Sequence, residues 1–404
     1  MEPHFKHVSQ QTQGRNVICI EDTAEYNYQH HKGILQAGEL GMISDDRSLG
    51  MRIHPMLVVD QADGFPYGFS SFEIINRNNK GRDGQQHYQK LPIEQKESYR
   101  WLSAIEQTKK QLSKAQSITI VADREADIYQ LWSRVPDGRT HLVIRTALKR
   151  KFLDDEQNPI KADTPLQVLG ISKVFILGRL GKADKSREAQ LEISFQKAYT
   201  LKPRLLARNK DAKHLDPDQI PLNIIAVKEI IPVGVELKEP IQWFLLTDLP
   251  VEDLTDALRI IEIYKSRWHI EQIFRLTKQK GFNLEESQLE RAASLKNLMA
   301  FTFIAASRVY QMVLARNNES RMGSDLFEPD EMKALEKLSP QLEGRTERSK
   351  NKNKPQTLAF YIWVIARLGN WKPEDRDPPG PITFKRGWET FQSSFKISQM
   401  IMGT

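Results

Sequence analysis

The chain is expected to fold as an α/β protein: a mixed sheet flanked by helices, interrupted by a β-rich insertion and followed by a helical C-terminal region. Three observations carry this expectation. Two apolar runs, Met51 to Asp60 and Phe65 to Ile75, flank a hairpin turn at Ala62-Asp63-Gly64 and lead into strand–helix alternation. Residues 151–240 hold several short strand-like runs joined by polar loops. From Pro250 onward helical periodicity dominates.

In chain order, residues 1–15 read as irregular. Asn16 to Asp22 is a short apolar strand ending in two acids, with Cys19 as core filler. Glu94 to Ala115 reads as a polar amphipathic helix. Ser117 to Asp123 is another buried strand ending in an acid, followed at once by the helix-like Arg124 to Trp132. His141 to Arg145 closes the first part of the core, residues 16–150. The insertion, 151–240, carries strand-like runs at Val174 to Leu177, Ala189 to Phe195 and Asn223 to Ile231. A second core part, 241–322, opens with the buried strand Ile241 to Thr247. It continues through the helical stretch carrying Glu271 to a buried helix, Leu298 to Ala315, interrupted by Arg308. Residues 323–404 are helical, divided by a linker, Gly344 to Pro355, and by the helix-breaking Asp377-Pro-Pro-Gly-Pro381. The basic residues of that linker (Arg348, Lys350, Lys352, Lys354) suit a DNA contact, although a mobile loop is the commoner meaning of such a run.

Composition narrows the function. With 404 residues, 39% of them hydrophobic, the chain can bury a large core in two or three structural units. No apolar run reaches the ~18 residues a membrane span needs, and the first residues lack the apolar stretch of a signal peptide. A single cysteine excludes an intramolecular disulfide framework and any multi-cysteine zinc site. The expected setting is a reducing cytosol with access to DNA and no membrane partner. The net charge of +7, from 59 basic and 52 acidic residues, favours an anionic partner only weakly.

Three acids stand out. Asp22 and Asp123 each end a buried strand, and Glu271 sits on a helix. Two strand-end carboxylates on neighbouring strands, met by a third from a helix, would hold two Mg²⁺ ions, with Mn²⁺ as a substitute. Strand-end aspartates also commonly start turns or cap helices, and for Asp123 that alternative competes directly. Around Glu271 the polar residues share one face. At about 100° per residue, Tyr264, Arg267 and Lys278 fall within roughly 40° of it. A phenol, two cations and a carboxylate in one stripe suit a metal-binding acid flanked by phosphate-binding groups. An ordinary solvated face with an i,i+4 Arg–Glu pair has the same pattern.

These residues carry a family resemblance. The order Asp22, Asp123, Glu271 is similar to that of the DDE transposases of bacterial insertion sequences. More closely, the chain resembles the IS-four class, including the Tn-five type. The Y-x2-R-x3-E-x6-K signature of that class is matched by Tyr264, Arg267, Glu271 and Lys278. Ile20-Glu-Asp22-Thr, Asp123-Arg-Glu-Ala-Asp-Ile and Trp243-Phe-Leu-Leu-Thr also match, as do Ala366-Arg-Leu-Gly-Asn-Trp and Lys385-Arg-Gly-Trp388-Glu in the tail. The resemblance spans about residues 16–395.

It implies an RNase H-like catalytic core split by the insertion, and a C-terminal dimerisation region giving a homodimer when DNA ends are synapsed. It assigns Asp22, Asp123 and Glu271 as catalytic metal ligands. Tyr264, Arg267, Lys278 and Arg145 would contact phosphates, and Trp243, with Trp268 as a second candidate, would stack on an unpaired base. The partner is DNA, both transposon ends and target, and the reaction is cleavage at the ends followed by strand transfer. Acting there, the protein would associate with the bacterial nucleoid. One departure from the family is that Asp22 follows only 21 residues, too few for a folded end-binding unit. The alternative expectation is therefore a truncated, non-catalytic chain that dimerises with and inhibits the full-length enzyme.

Overall fold

Side chains buried in succession along the central strands build a sheet covered on both faces there. The computed structural model describes residues 1–35, 37–43, 47–75, 91–164, 166–176, 187–203, 216–232, 234, 237, 240–279, 281–374 and 377–402. Its strands are β1 Asn16–Glu21, β2 Ala24–Asn27, β3 Gly50–Asp60, β4 Pro66–Ile75, β5 Ser117–Ala122, β6 Thr140–Arg145, β7 Lys151–Leu153, β8 Pro159–Lys161, β9 Gln167–Ile176, β10 Arg187–Leu201, β11 Gln219–Ile230 and β12 Gln242–Thr247. The helices are α1 Glu2–Gln11, α2 Ala37–Leu40, α3 Tyr99–Gln111, α4 Tyr129–Arg134, α5 Leu254–Lys265, α6 Trp268–Lys278, α7 Ala292–Ala315, α8 Pro329–Leu342, α9 Leu358–Leu368 and α10 Pro381–Met402.

The described strands join one mixed sheet. β1 lies between β3, antiparallel to it, and β5, parallel to it; β5 in turn pairs in parallel with β6. The long β3 carries β4 along one edge, and β1 and β2 along the other. β12 pairs antiparallel with β6 and with β11, so the strands between 151 and 230 extend the same sheet instead of forming one of their own. Along β1, Val17 and Cys19 enter one core with Trp101, Leu102 and Ile105 of α3. Ile18 and Ile20 enter the other, with Ile260, Ile270, Ile273 and Phe303 from α5, α6 and α7. Cys19 is fully buried. Helix α7 is long and apolar enough to cross a membrane by length and composition, yet Leu295, Met299, Phe303 and Ala306 are core residues.

Four expectations need correction or limits. Residues 2–11 are helical, not irregular. Phe5 and Val8, one turn apart, dock against the core, and His4 Nε2 accepts a hydrogen bond from Phe69 N at 2.9 Å. Pro3 suits a first helical turn, but the docking partners are remote in sequence. The expected helix Glu94 to Ala115 is shorter, 99–111, preceded by a 3₁₀ turn at Ile93–Gln95. After Asp123 comes a 3₁₀ turn, Arg124–Ala126, before α4. Of the strand run expected at Val174 to Leu177, Leu177 lies outside the described residues.

Candidate active site

Parallel register brings the first two acids together. β1 and β5 pair Asn16 with Ser117 and Ile20 with Val121, an offset of 101 residues. Carried two residues past Ile20, the same offset sets Asp22 beside Asp123 at the ends of adjacent strands. Asp22 Oδ1 accepts from Thr23 N at 2.7 Å, which holds the carboxylate at the turn. Asp123 Oδ1 accepts from Glu125 N at 2.9 Å, so it does cap the following 3₁₀ turn. Capping uses one oxygen and leaves the other open.

The third acid comes from α6, which packs against β1. The stretch expected as one helix is two, α5 and α6, joined by a tightened turn. Backbone bonds there run i to i−3: Arg267 N to Tyr264 O at 3.0 Å and His269 N to Ser266 O at 2.9 Å. With no Pro or Gly nearby, a local cause is Ser266, whose hydroxyl donates back to Glu262 O at 3.4 Å. This joint carries Arg267, whose Nη1 donates to Asp22 Oδ2 at 2.9 Å while Nη2 donates to Glu271 Oε1. One guanidinium thus ties the helical acid to a strand-end acid that lies 245 residues before the arginine.

The charges of these groups reach one another. Burial pushes the Asp22 carboxyl up to about 6, against the pull of Arg267 and the Thr23 N–H; the negative charges of Asp123 and Glu271 add to the rise. Arg267 is itself largely buried, which alone would lower its pKa. Tyr264, Glu271, Asp22 and Asp123 outweigh that and raise it.

The remaining residues of the stripe divide. Tyr264 is buried and meets Trp243 edge-on, with ring centroids 5.6 Å apart. Burial raises the Tyr264 hydroxyl, opposed by Arg267 and Arg145. Trp243 is half-buried at the rim of the core. Arg145 is half-buried at the end of β6, and its Nη2 donates to Gln242 O at 3.0 Å. Lys278 lies about 10 Å further along α6 than Glu271, with its ammonium 5.1 Å from the centre of the Tyr26 ring. Trp268 is 60% exposed and does not pack beneath its helix.

The family described as "Transposase DDE domain" matches residues 100–307, just over half of the chain. This chain belongs to that family. The match includes Asp123, Glu271 and the whole of the stripe; Asp22 precedes it and reaches the site through the β1–β5 register. Membership makes this transposase a protein of DNA transposition and recombination.

Sequence reading missed a buried network directly behind Asp22. His54 of β3 makes a 2.7 Å hydrogen bond from Nε2 to Glu21 Oε1, and a 2.8 Å one from Nδ1 to Thr23 Oγ1. Both His54 and Glu21 are fully buried. Burial drives Glu21 well above the usual carboxylate range and His54 well below the usual imidazole range. Both shifts favour the neutral forms, an arrangement in which the Glu21 acid would donate to Nε2 and Nδ1–H to Thr23. Arg100 closes the network by donating to Thr23 Oγ1 at 3.3 Å and to Glu125 Oε2 at 2.8 Å. The second acid at the end of β1 was the only sequence signal; its histidine partner lies 33 residues away.

The donor chemistry suits a hard divalent cation: three carboxylates, with a guanidinium standing as the positive charge between two of them. Among the described residues no three His, Cys, Asp or Glu side chains form a group around one ion. An apolar cavity of about 470 Å³ between α8 and α10 shares no residue with this site.

Proposed function

We propose that this transposase is a DDE enzyme of the IS-four class that cleaves DNA at the ends of its element and transfers the freed strand into target DNA. The observation that carries the reading is Arg267 bound at once to Asp22 and Glu271, beside Asp123. The strand order β4-β3-β1-β5-β6, with β1, β5 and β6 parallel, supports an RNase H-like core.

Asp22, Asp123 and Glu271 would hold two Mg²⁺ ions, for which Mn²⁺ substitutes. When bound, such ions activate a water or a 3′-hydroxyl and stabilise the leaving oxygen in an in-line displacement at phosphorus. The protein's own residues do the rest. Arg267, released from the carboxylates, offers its planar fork to a phosphate. Tyr264 sits against that guanidinium, and Arg145 and Lys278 supply further cations. Trp243 at the rim, or exposed Trp268, gives an aromatic surface for an unpaired base. No serine or tyrosine nucleophile is required, since the displacement proceeds without a protein–DNA bond. A second copy would cover the exposed apolar end of α10, where Ile397, Met400 and Ile401 are 58%, 81% and 79% exposed.

The test compares native protein with Glu271→Gln on a pre-nicked duplex carrying the element's own ends, with Mg²⁺ or Mn²⁺. Metal-dependent strand transfer by the native chain, lowered at least 100-fold in the variant, is expected. No activity in either, with dimerisation retained, would favour the inhibitory reading instead.

A further inference from the structure

The linker between α8 and α9 is an ordered strip. Residues 343–354 carry five cations (Arg345, Arg348, Lys350, Lys352, Lys354) against two acids, Glu343 and Glu347. Two asparagines tie the segment down. Asn351 Nδ2 donates to Ser339 Oγ at 3.2 Å and to Phe360 O at 3.1 Å, and its backbone N–H donates to Glu343 at 3.2 Å. Asn353 Nδ2 donates to Ala359 O at 3.3 Å and to Asn351 Oδ1 at 3.0 Å. At one end Ser349 and Thr346 cap a 3₁₀ turn reciprocally; at the other Thr357 donates to Lys354 O at 2.6 Å.

The result is strict alternation. Lys350, Lys352 and Lys354 are exposed, while Asn351 and Asn353 between them are half-buried. Lys350 pairs with Glu347 at 2.8 Å on the surface, a contact that solvent screens. Lys352 also lies within Coulombic reach of Glu347, and among the described residues no ion pair is formed by Arg348 or Lys354. A solvated loop lowers the mutual repulsion of like charges by spreading them, whereas this segment is pinned by its asparagines with the lysines held on the surface.

We propose that residues 348–354 form a second DNA-binding surface, separate from the carboxylate cluster, that grips the phosphate backbone of duplex DNA without reading its sequence. Lysine ammonium groups on flexible stems suit phosphates as point charges. This inference rests on the transposase reading, and its test separates the two.

Binding of the full-length chain to a duplex of the element's end and to an unrelated duplex is measured across a salt series. The native chain is compared with the triple variant Lys350→Gln, Lys352→Gln, Lys354→Gln. Each phosphate contact contributes roughly 0.9 to the slope of log affinity against log salt. The slope should therefore fall by about 2 to 3 in the triple variant, equally for both duplexes. The melting temperature should stay unchanged, because the three side chains are exposed. An unchanged slope in the variant, with native protein binding DNA, overturns the strip and leaves the transposase reading intact. Loss confined to one duplex overturns the backbone-only form. A native chain that binds neither duplex overturns both readings. Asn351→Ala with Asn353→Ala, which unties the strip and keeps its charge, should weaken binding while leaving the slope near native.

Discussion

At Glu21, burial favours the neutral acid. An ionised carboxylate with no exposure would cost several kcal/mol, and a neutral acid bonded to a neutral imidazole avoids that cost. Glu21→Gln tests the assignment, because an amide can donate to His54 Nε2 as the acid does. We expect stability within about 1 kcal/mol of native near pH 7. The raised folded pKa means that stability from Glu21 is fully present below its unfolded value and is lost as pH rises through the folded one. The variant should therefore hold its stability better than native as pH rises, which urea denaturation at several pH values would show. An ion pair would predict a clear loss already at neutral pH.

At the scale of elements, two glycines set how α10 crosses α9. A methyl group on Gly387 would overlap Ile365 O and approach Gly369 N; one on Gly369 would overlap Thr383 O. Helix propensity favours Gly387→Ala by about 1 kcal/mol. The obstacle is backbone, which no rotamer change relieves, so packing outweighs propensity. Gly387→Ala should destabilise the tail by about 1–3 kcal/mol and speed proteolysis between α8 and α10. Unchanged or higher stability would show that the helices separate at no cost. The joint between α5 and α6 is the other decisive element, since it places Arg267 where a guanidinium meets both acids.

Across the whole molecule, Arg321 fastens the tail to the sheet. It donates to Asp60 at 2.8 Å and to Asp63 at 2.7 Å in the β3–β4 turn, and to Asp325 at 3.2 Å. Its guanidinium lies 4.2 Å from the centre of the Phe65 ring. Burial alone would raise Asp60 and Asp63. At Asp60 the Tyr67 hydroxyl, the Ala62 N–H and Arg321 outweigh it; at Asp63 Arg321 and the Phe65 N–H do so, and both fall below the usual range. Depressed carboxylates contribute stability that is present above their unfolded pKa, about 3.9, and lost as pH falls through the folded values. Arg321→Met should cost about 3–5 kcal/mol at pH 7. The gap from native should narrow in acid below pH ~4, and thermal melts at both pH values would check it.

Much of this was legible in order and spacing. Apolar runs marked β1, β3, β4, β5, β6 and β12, because strand burial is written as local pattern. The hairpin at Asp63-Gly64 was visible because tight turns favour glycine where φ is positive, and Gly64 does adopt φ +72°. Asp22, Asp123 and Glu271 could be picked out as strand-end and helix-face acids. What brings them together is non-local: parallel register between β1 and β5, and a guanidinium delivered by a joint that helical periodicity alone does not reveal. Helix α1, the Glu21–His54 pair and the ordered lysine strip were decided by tertiary structure alone. In each, the partner lies elsewhere in the chain, and burial or a remote hydrogen bond, not local propensity, sets the state.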